Sequence, residues 1–290
     1  RNQLLSLKNK IGNEEISKWD KAKKISNEYE LIHLPSRRMK HESISEYSPL
    51  SRSYFKLWEM LHEHKLINNE NSLNILCLAE GPGGFIEAIV NYRKRNNKYD
   101  NIDAITLKST TKEIPGWDKS AIFLKQNPNI NIHYGSDNTG DLYKLENIEY
   151  METICDKSDL ITADGGFDFS NNFNDQEHMS IRIILCEIVT ALCCQKIGGT
   201  FVCKLFDLYT NDSISLIYLL KCVYSTVIID KPLTSRPANS EKYIICLGFK
   251  GIDPNYLKKL KIVIKSWEIS NNNNLNIVNI FDTILDNDFL

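Results

Sequence analysis

No stretch of this 290-residue chain is long and apolar enough to span a bilayer, so no membrane span is expected; no charged, apolar and small-residue leader opens it, which says little because Arg1 is not a native start. Excess charge of one sign is missing too. The formal net charge of -2 argues against a protein that coats nucleic acid nonspecifically, while leaving room for a local basic groove. The eight cysteines include no Cys-x-x-Cys pair and fall mostly inside apolar runs. They read as small core residues in a reducing, intracellular compartment, not as disulfides or zinc ligands. The histidines lack metal-ligand spacing, His62 and His64 being too close along a helical stretch to share a face, and no metal is expected. With 42% hydrophobic and 25% charged residues, the chain is an ordinary globular protein with one main domain and helical extensions.

What is present begins with Asn74-Ile75-Leu76-Cys77-Leu78-Ala79-Glu80-Gly81-Pro82-Gly83-Gly84-Phe85, an apolar run that breaks on glycines and resumes as a helical pattern through Ile86, Ala88, Ile89 and Val90. It reads as a buried strand, a tight turn and a helix N-terminus, shaped to hold a ligand against the positive end of the helix. A turn that merely reverses the chain is the plainer alternative. No Lys-Ser/Thr pair follows the glycines, and Gly-x-Gly-x-x-Gly spacing is absent, so a cofactor without phosphates is favoured. S-adenosylmethionine fits.

Residues 1–45 read as a basic, weakly helical extension, with Lys18, Lys21, Lys23 and Lys24 followed by Arg37, Arg38 and Lys40; such a run is either a solvated face or a grip on an anionic polymer. Tyr54, Leu57, Trp58 and Leu61 recur at helical spacing, with Lys56 off that stripe. Further strands are expected at Ile102 to Leu107, Ile130 to Tyr134, Ser158 to Phe167, Thr200 to Asp207, Ser225 to Asp230 and Tyr243 to Phe249. A long apolar helix over Ile181 to Ile197 should close on Gly198-Gly199, and another helix should run from Ser213 to Cys222. A proline-punctuated loop, Lys231 to Tyr243, carries Glu241 to the mouth of the last strand, and a helical segment occupies 254–290. The alternation makes a doubly wound, Rossmann-like α/β fold over 46–253: a mostly parallel seven-stranded sheet with helices on both faces. Asp164 stands where the fourth strand runs out into glycines, at the end that lines the crevice of an open sheet, although an Asp before glycines is also an everyday turn or cap residue. Lys204, inside an apolar strand, either has a charged partner or reaches out to solvent.

Lys56, Asp164, Lys204 and Glu241, in that order and with Gly81-Pro82-Gly83-Gly84-Phe85, resemble the Lys-Asp-Lys-Glu tetrad of the FtsJ-like ribose 2'-O-methyltransferases. Ala163-Asp164-Gly165-Gly166-Phe167, Cys203-Lys204-Leu205-Phe206-Asp207 and Thr234-Ser235-Arg236-Pro237-Ala238-Asn239-Ser240-Glu241-Lys242-Tyr243 are similar to strings in the cap-specific mRNA 2'-O-methyltransferases. The likeness covers roughly Ser51 to Gly251. Many relatives carry an acid in the first strand where this chain has Cys77, Glu80 being the nearest carboxylate, and the ribose-binding acid after the second strand is replaced by Thr106-Leu107-Lys108.

The resemblance implies S-adenosylmethionine bound by Ala79, Glu80, Gly81, Pro82, Gly83, Gly84, Phe85, Asp141 and Asp164. It implies catalysis by Lys56, Asp164, Lys204 and Glu241, with Lys204 as base or hydroxyl-orienting residue, Lys56 as its partner and the carboxylates positioning both. Capped single-stranded RNA would lie against Ser51, Lys108, Asp207, Arg236 and Asn239, with Arg37 and Arg38 on phosphates upstream. Association with other capping or transcription proteins, in the nucleus or in the cytoplasm, also follows from the likeness. Methylation of internal ribosomal or transfer RNA, or a non-catalytic binding subunit, are the competing readings. Lys56 near Lys204 would lower the lysine pKa and the carboxylates would raise it, so the sequence alone leaves the net direction open.

Overall fold

The structure is a computed structural model and describes residues 2–11, 14–33, 43–67, 71–94, 100–109, 116–166 and 176–270. Helices α1 (Asn2–Ile11) and α2 (Ile16–Ile25) lead to α3 (Ser53–Glu63). The described core then alternates β1 (Asn74–Leu78), α4 (Gly84–Lys94), β2 (Asn101–Ile105), α5 (Ala121–Gln126), β3 (Ile130–His133), α6 (Leu145–Ile154), β4 (Ser158–Ala163), α7 (Gln176–Cys194) and β5 (Gln195–Leu205). After α8 (Asn211–Val223), β6 (Tyr224–Asp230) and β7 (Lys242–Phe249), the helix α9 (Pro254–Ser270) follows. One seven-stranded sheet has the order β3-β2-β1-β4-β5-β7-β6. β1 to β5 run parallel, and β7 enters antiparallel between β5 and β6.

The continuous apolar strand runs are explained by burial from both sides, since successive side chains point to opposite faces. Ile75, Cys77, Leu160, Val202 and Ile245 pack with Leu57, Leu61, Ile86 and Ile89 of α3 and α4. Leu76, Leu78, Ile161, Cys203 and Cys246 pack with Leu185, Val189, Leu219 and Trp267 of α7, α8 and α9. All eight cysteines are free; six are buried, Cys155 is half-buried and Cys222 is exposed, so that last one is not the core residue the sequence suggested. No helix among the described residues is long and apolar enough to cross a membrane.

The apolar helix ends earlier than its composition suggests, at Cys194, and Gln195 through Gly199 already belong to β5. Gln195 accounts for this: it pairs with Ser158, and its amide donates to the Ser158 carbonyl at 2.9 Å. The irregular register between Ser158 and Leu160 then absorbs the glycines, with Gly198 at φ +82°. β2 likewise stops at Ile105, because the next backbone turns towards residue 139, where Lys108 N–H donates to the Thr139 carbonyl at 2.7 Å.

From β1 the chain fills the sheet outward through β2 and β3, and then returns to place β4 and β5 on the other side. Strand order therefore reverses between β1 and β4, and the carboxyl ends of these two strands open a crevice where ligands bind in such sheets.

Candidate active site

The glycines of the turn after β1 are packed closely by the chain's own residues. Gly83 lies at φ +105°, and a Cβ on Gly84 would sit 2.1 Å from Ser51 Oγ and 2.2 Å from Ser53 Oγ, so the backbone is pressed against the residues leading into α3. Gly81 N–H donates to Thr106 Oγ1 at 3.2 Å, while Gly140 (φ +69°) rests so close on the Thr106 carbonyl that a Cβ would come within 1.9 Å of its oxygen. Thr106 thus joins the glycine turn to the loop carrying Asp141. Glu80, 3% exposed, accepts the Phe85 N–H at 2.7 Å through Oε1, and its Oε2 has no hydrogen-bond partner. Burial, with the Asp164 charge added, pushes the Glu80 carboxyl well above the usual range. Trp117, whose Cζ3 edge lies 3.4 Å from where a Gly83 Cβ would be, has a buried Nε1 left without a partner. Unsatisfied buried groups cost about 1–3 kcal/mol each. The unpartnered Glu80 oxygen in a turn whose Ala79, Gly81 and Pro82 are half-buried fits a polar, nucleoside-bearing cofactor such as S-adenosylmethionine.

The four charged residues converge. Lys204 lies directly opposite Tyr243 in the antiparallel β5–β7 ladder, so both side chains emerge on the α3–α4 face, as does Asp164 just beyond β4. Lys204 Nζ donates to the Asp164 carbonyl at 2.7 Å and lies 3.3 Å from Asp164 Oδ1, which also accepts the Tyr243 hydroxyl at 2.8 Å. Lys56 Nζ reaches Glu241 Oε1 at 2.7 Å and stands over the Tyr243 ring, 5.9 Å from its centroid. Glu241 in turn accepts the Ser235 hydroxyl at 2.9 Å. The fully buried Tyr243 is therefore the piece between the two ion pairs, and Phe85, also fully buried, braces it with ring centroids 5.8 Å apart. Phe85 supports the turn from beneath through its ring.

The electrostatics settle the direction that sequence left open. Burial works against the Lys204 ammonium, but Asp164, Glu241 and Glu187 together outweigh it, and the pKa is raised. Burial likewise opposes the Glu241 carboxylate, and Lys56 and Lys204 overcome it, holding the group below its ordinary value. Burial pulls Lys231 down to about 8 against the pull of Glu241.

The other expected residues are distributed around this centre. Asp141 turns Oδ1 to its own loop, accepting the Tyr143 N–H at 2.9 Å. Lys108 is exposed, with Nζ 5.1 Å from the centroid of the Tyr134 ring. Ser51 Oγ is 2.5 Å from Ser53 Oγ, over the start of α4. Asp207 pairs with Lys242 at 3.6 Å. Arg236 is held in a fork by Glu30, at 2.9 and 3.0 Å, and Asn239 Oδ1 accepts from Lys231 Nζ at 2.8 Å. Arg37 and Arg38 lie outside the described residues. Away from the centre, His64 Nε2 lies 3.4 Å from Asp230 Oδ2, and with Glu63 their ligand atoms fall within 4.8 Å of one another.

Sequence reasoning missed Tyr243, Glu187, Lys231, Arg52 and Glu59. Arg52, Lys56 and Glu59 form a polar i, i+4, i+7 stripe entering and following α3, a signal present in the sequence. Arg52 donates to the Thr234 carbonyl at 3.2 Å and Glu59 accepts from Leu233 N at 2.6 Å, so the same stripe that offers Lys56 also anchors the loop that offers Glu241.

Known proteins resemble this chain in sequence and in fold. The chain is 30% identical over 278 residues to the cap-specific mRNA (nucleoside-2'-O-)-methyltransferase 2 of Drosophila melanogaster, covering 92% of this chain and 38% of that protein. It is 37% identical over 203 residues to the cap-specific mRNA (nucleoside-2'-O-)-methyltransferase 1 of Mus musculus, covering 65% of this chain and 23% of that protein. The chain thus spans less than two fifths of the length of these relatives. Among solved structures, one described as a ribosomal RNA methyltransferase from Plasmodium falciparum superposes with a TM-score of 0.50 at 21% identity, over 70% of this chain and 99% of that one, a likeness of fold. The sequence profile of FtsJ-like methyltransferases matches residues 49–249, from the approach to α3 through β7. Because that match takes in the glycine turn and both ion pairs, the chain belongs to the FtsJ-like methyltransferase family.

Proposed function

We propose that the chain transfers a methyl group from S-adenosylmethionine to the ribose 2'-hydroxyl of a 5'-terminal nucleotide of capped mRNA. The observation that carries this reading is the run of contacts from Glu241 to Lys56, across Tyr243 to Asp164 and on to Lys204, at the carboxyl ends of β4 and β5. Choice of capped mRNA is supported by the names of the relatives.

Bound S-adenosylmethionine supplies an electrophilic methyl group on a positively charged sulfur. The backbone from Ala79 to Gly84, with Glu80 and Asp141, would hold it. A ribose hydroxyl is a poor nucleophile at neutral pH, so it must be held in line and its proton accepted. Lys204 rests as an ammonium, because its carboxylate neighbours outweigh its burial. In that state Nζ donates to the hydroxyl oxygen and fixes its direction; transfer of the hydroxyl proton to Nζ requires the fraction of Lys204 that is neutral, which grows with pH. Lys56 is the second donor, and Asp164 and Glu241 hold the two amines apart and aligned. RNA lies across Ser51, Lys108, Asp207, Arg236 and Asn239, with Arg37 and Arg38 further along. Arg236 exchanges the Glu30 fork for a phosphate, which presents the same two-oxygen geometry.

We assign residues 46–253 to the methyltransferase unit, 1–45 to a basic helical extension and 254–290 to a C-terminal helical segment. Free thiols throughout support a reducing compartment, nuclear or cytoplasmic. Transfer of tritiated methyl to matched short RNAs tests the function: label on capped RNA alone is expected. Label on uncapped RNA would replace cap specificity with internal methylation, and no label on either would leave a binding subunit. Lys204→Ala should lower transfer by at least about a hundredfold with S-adenosylhomocysteine binding nearly unchanged.

A further inference from the structure

Glu187 is the single charged residue between Ile183 and Cys194, in the middle of α7, and it is fully buried. A carboxyl in such a position is retained only where its oxygens are bonded. Its Oε1 accepts the Gly165 N–H at 3.0 Å, and its Oε2 accepts from Cys203 Sγ at 3.6 Å. These two partners are the chain neighbours of Asp164 and Lys204. Side chains alternate across a sheet, so Lys204 and Asp164 emerge on the α3–α4 face while Glu187 grips the adjoining residues from the α7 face. The fit leaves no slack: a Cβ on Gly165 would lie 2.2 Å from Glu187 Oε1.

We infer that Glu187 is a positioning residue: it clips the ends of β4 and β5 together from behind, so that the Asp164 carbonyl stays in place to hold Lys204 Nζ. The inference rests on the reading of Lys204 as the residue that meets the ribose hydroxyl. The groups that face Lys204 are Asp164 beyond β4, Glu241 ahead of β7, the Tyr243 hydroxyl through Asp164, Lys56 of α3 through Glu241, Glu80 of the glycine turn, Cys203 of β5 and Glu187 of α7. Burial pushes Glu187 up to about 8, against Lys204 and the Gly165 N–H. Burial and the neighbouring Glu187 keep the Cys203 thiol protonated and able to donate.

The test compares Glu187→Leu, Glu187→Gln and Lys204→Ala in the full chain, checked for folding by thermal unfolding, with kcat and KM for capped RNA and S-adenosylhomocysteine binding by calorimetry. Glu187→Leu should lower kcat about 30-fold while KM and cofactor affinity stay within about threefold, the pattern of a group acting on the reacting arrangement. Glu187→Gln, which keeps an acceptor and a donor, should restore most of that loss. It should also move the rise of kcat with pH to lower pH, because an amide cannot supply the negative charge that favours the Lys204 ammonium. A folded Glu187→Leu variant with wild-type kcat would overturn the inference. If the leucine variant failed to fold, a folded Glu187→Gln variant with kcat lowered about 30-fold despite its retained acceptor and donor would overturn it instead. Full turnover in Lys204→Ala would instead remove the reading beneath it, and is recognisable whatever the Glu187 variants do.

Discussion

Lys56 and Glu241 meet at 2.7 Å with side chains only 13% and 11% exposed, so removing either partner strands the other charge away from water. Breaking such a pair costs about 3–5 kcal/mol. Lys56→Met should therefore lower unfolding free energy by about 3 kcal/mol at pH 7. The pH dependence has a defined sign. The Glu241 pKa in the folded protein lies below its ordinary value, so the stabilisation is present above that ordinary value and is lost as pH falls through the folded one. Urea unfolding of both proteins at neutral and acidic pH should show the difference shrink on acidification; a constant difference would mean that packing, not charge, held Lys56. The opposite sign applies to Glu187, which binds a proton in the folded state up to about 8 and so subtracts stability as pH rises from the ordinary carboxylate range towards that value.

At the scale of elements, α3 and the loop from Lys231 to Glu241 behave as one unit. The Glu59 carboxylate accepts from Leu233 N at 2.6 Å, Thr234 N at 3.1 Å and Thr234 Oγ1 at 3.0 Å, while Arg52 donates to the Thr234 carbonyl and to the Tyr29 and Glu30 carbonyls. Lys231 fastens the other end, donating to the Glu241 carbonyl at 2.7 Å and to Asn239. Glu59→Ala should lose about 2 kcal/mol of stability, in the range for hydrogen bonds to a charged group. On the proposed function it should raise KM for capped RNA and lower kcat together, because the loop it loosens carries Glu241 as well as Arg236 and Asn239. Faster hydrogen exchange confined to residues 231–241 would accompany it; unchanged exchange there would show that the loop is held by other contacts.

At the scale of the whole molecule, the sheet is closed on one side by α9, whose Leu260, Ile264 and Trp267 are buried in the same core as α7 and α8. The C-terminal segment is thus partly a structural wall of the sheet. Trp267→Ala should cost about 3–5 kcal/mol and be read as a lowered thermal midpoint, with KM for the cofactor unchanged while the protein is folded. Seven strands and their alternation with helices were legible in the sequence, because strand burial writes continuous apolar runs, and Lys204 and Asp164 stand out as charges inside or at the end of such runs, whereas Lys56, on α3, and Glu241, in the loop before β7, were singled out only by the family resemblance. The helix-to-strand border at Gln195 was not, since nothing local separates a buried helix from a buried strand there. The partners were not legible either: Glu59 finds Thr234 and Arg236 finds Glu30 across most of the chain, and Tyr243 becomes the divider between two ion pairs only through its register opposite Lys204. Local composition, read along the chain, determines which residues are buried and which are charged. Which charges face one another, and hence whether Lys204 rests with or without its proton, is decided by strand order and pairing register, because Coulomb interactions depend on separation in space and not on separation in sequence.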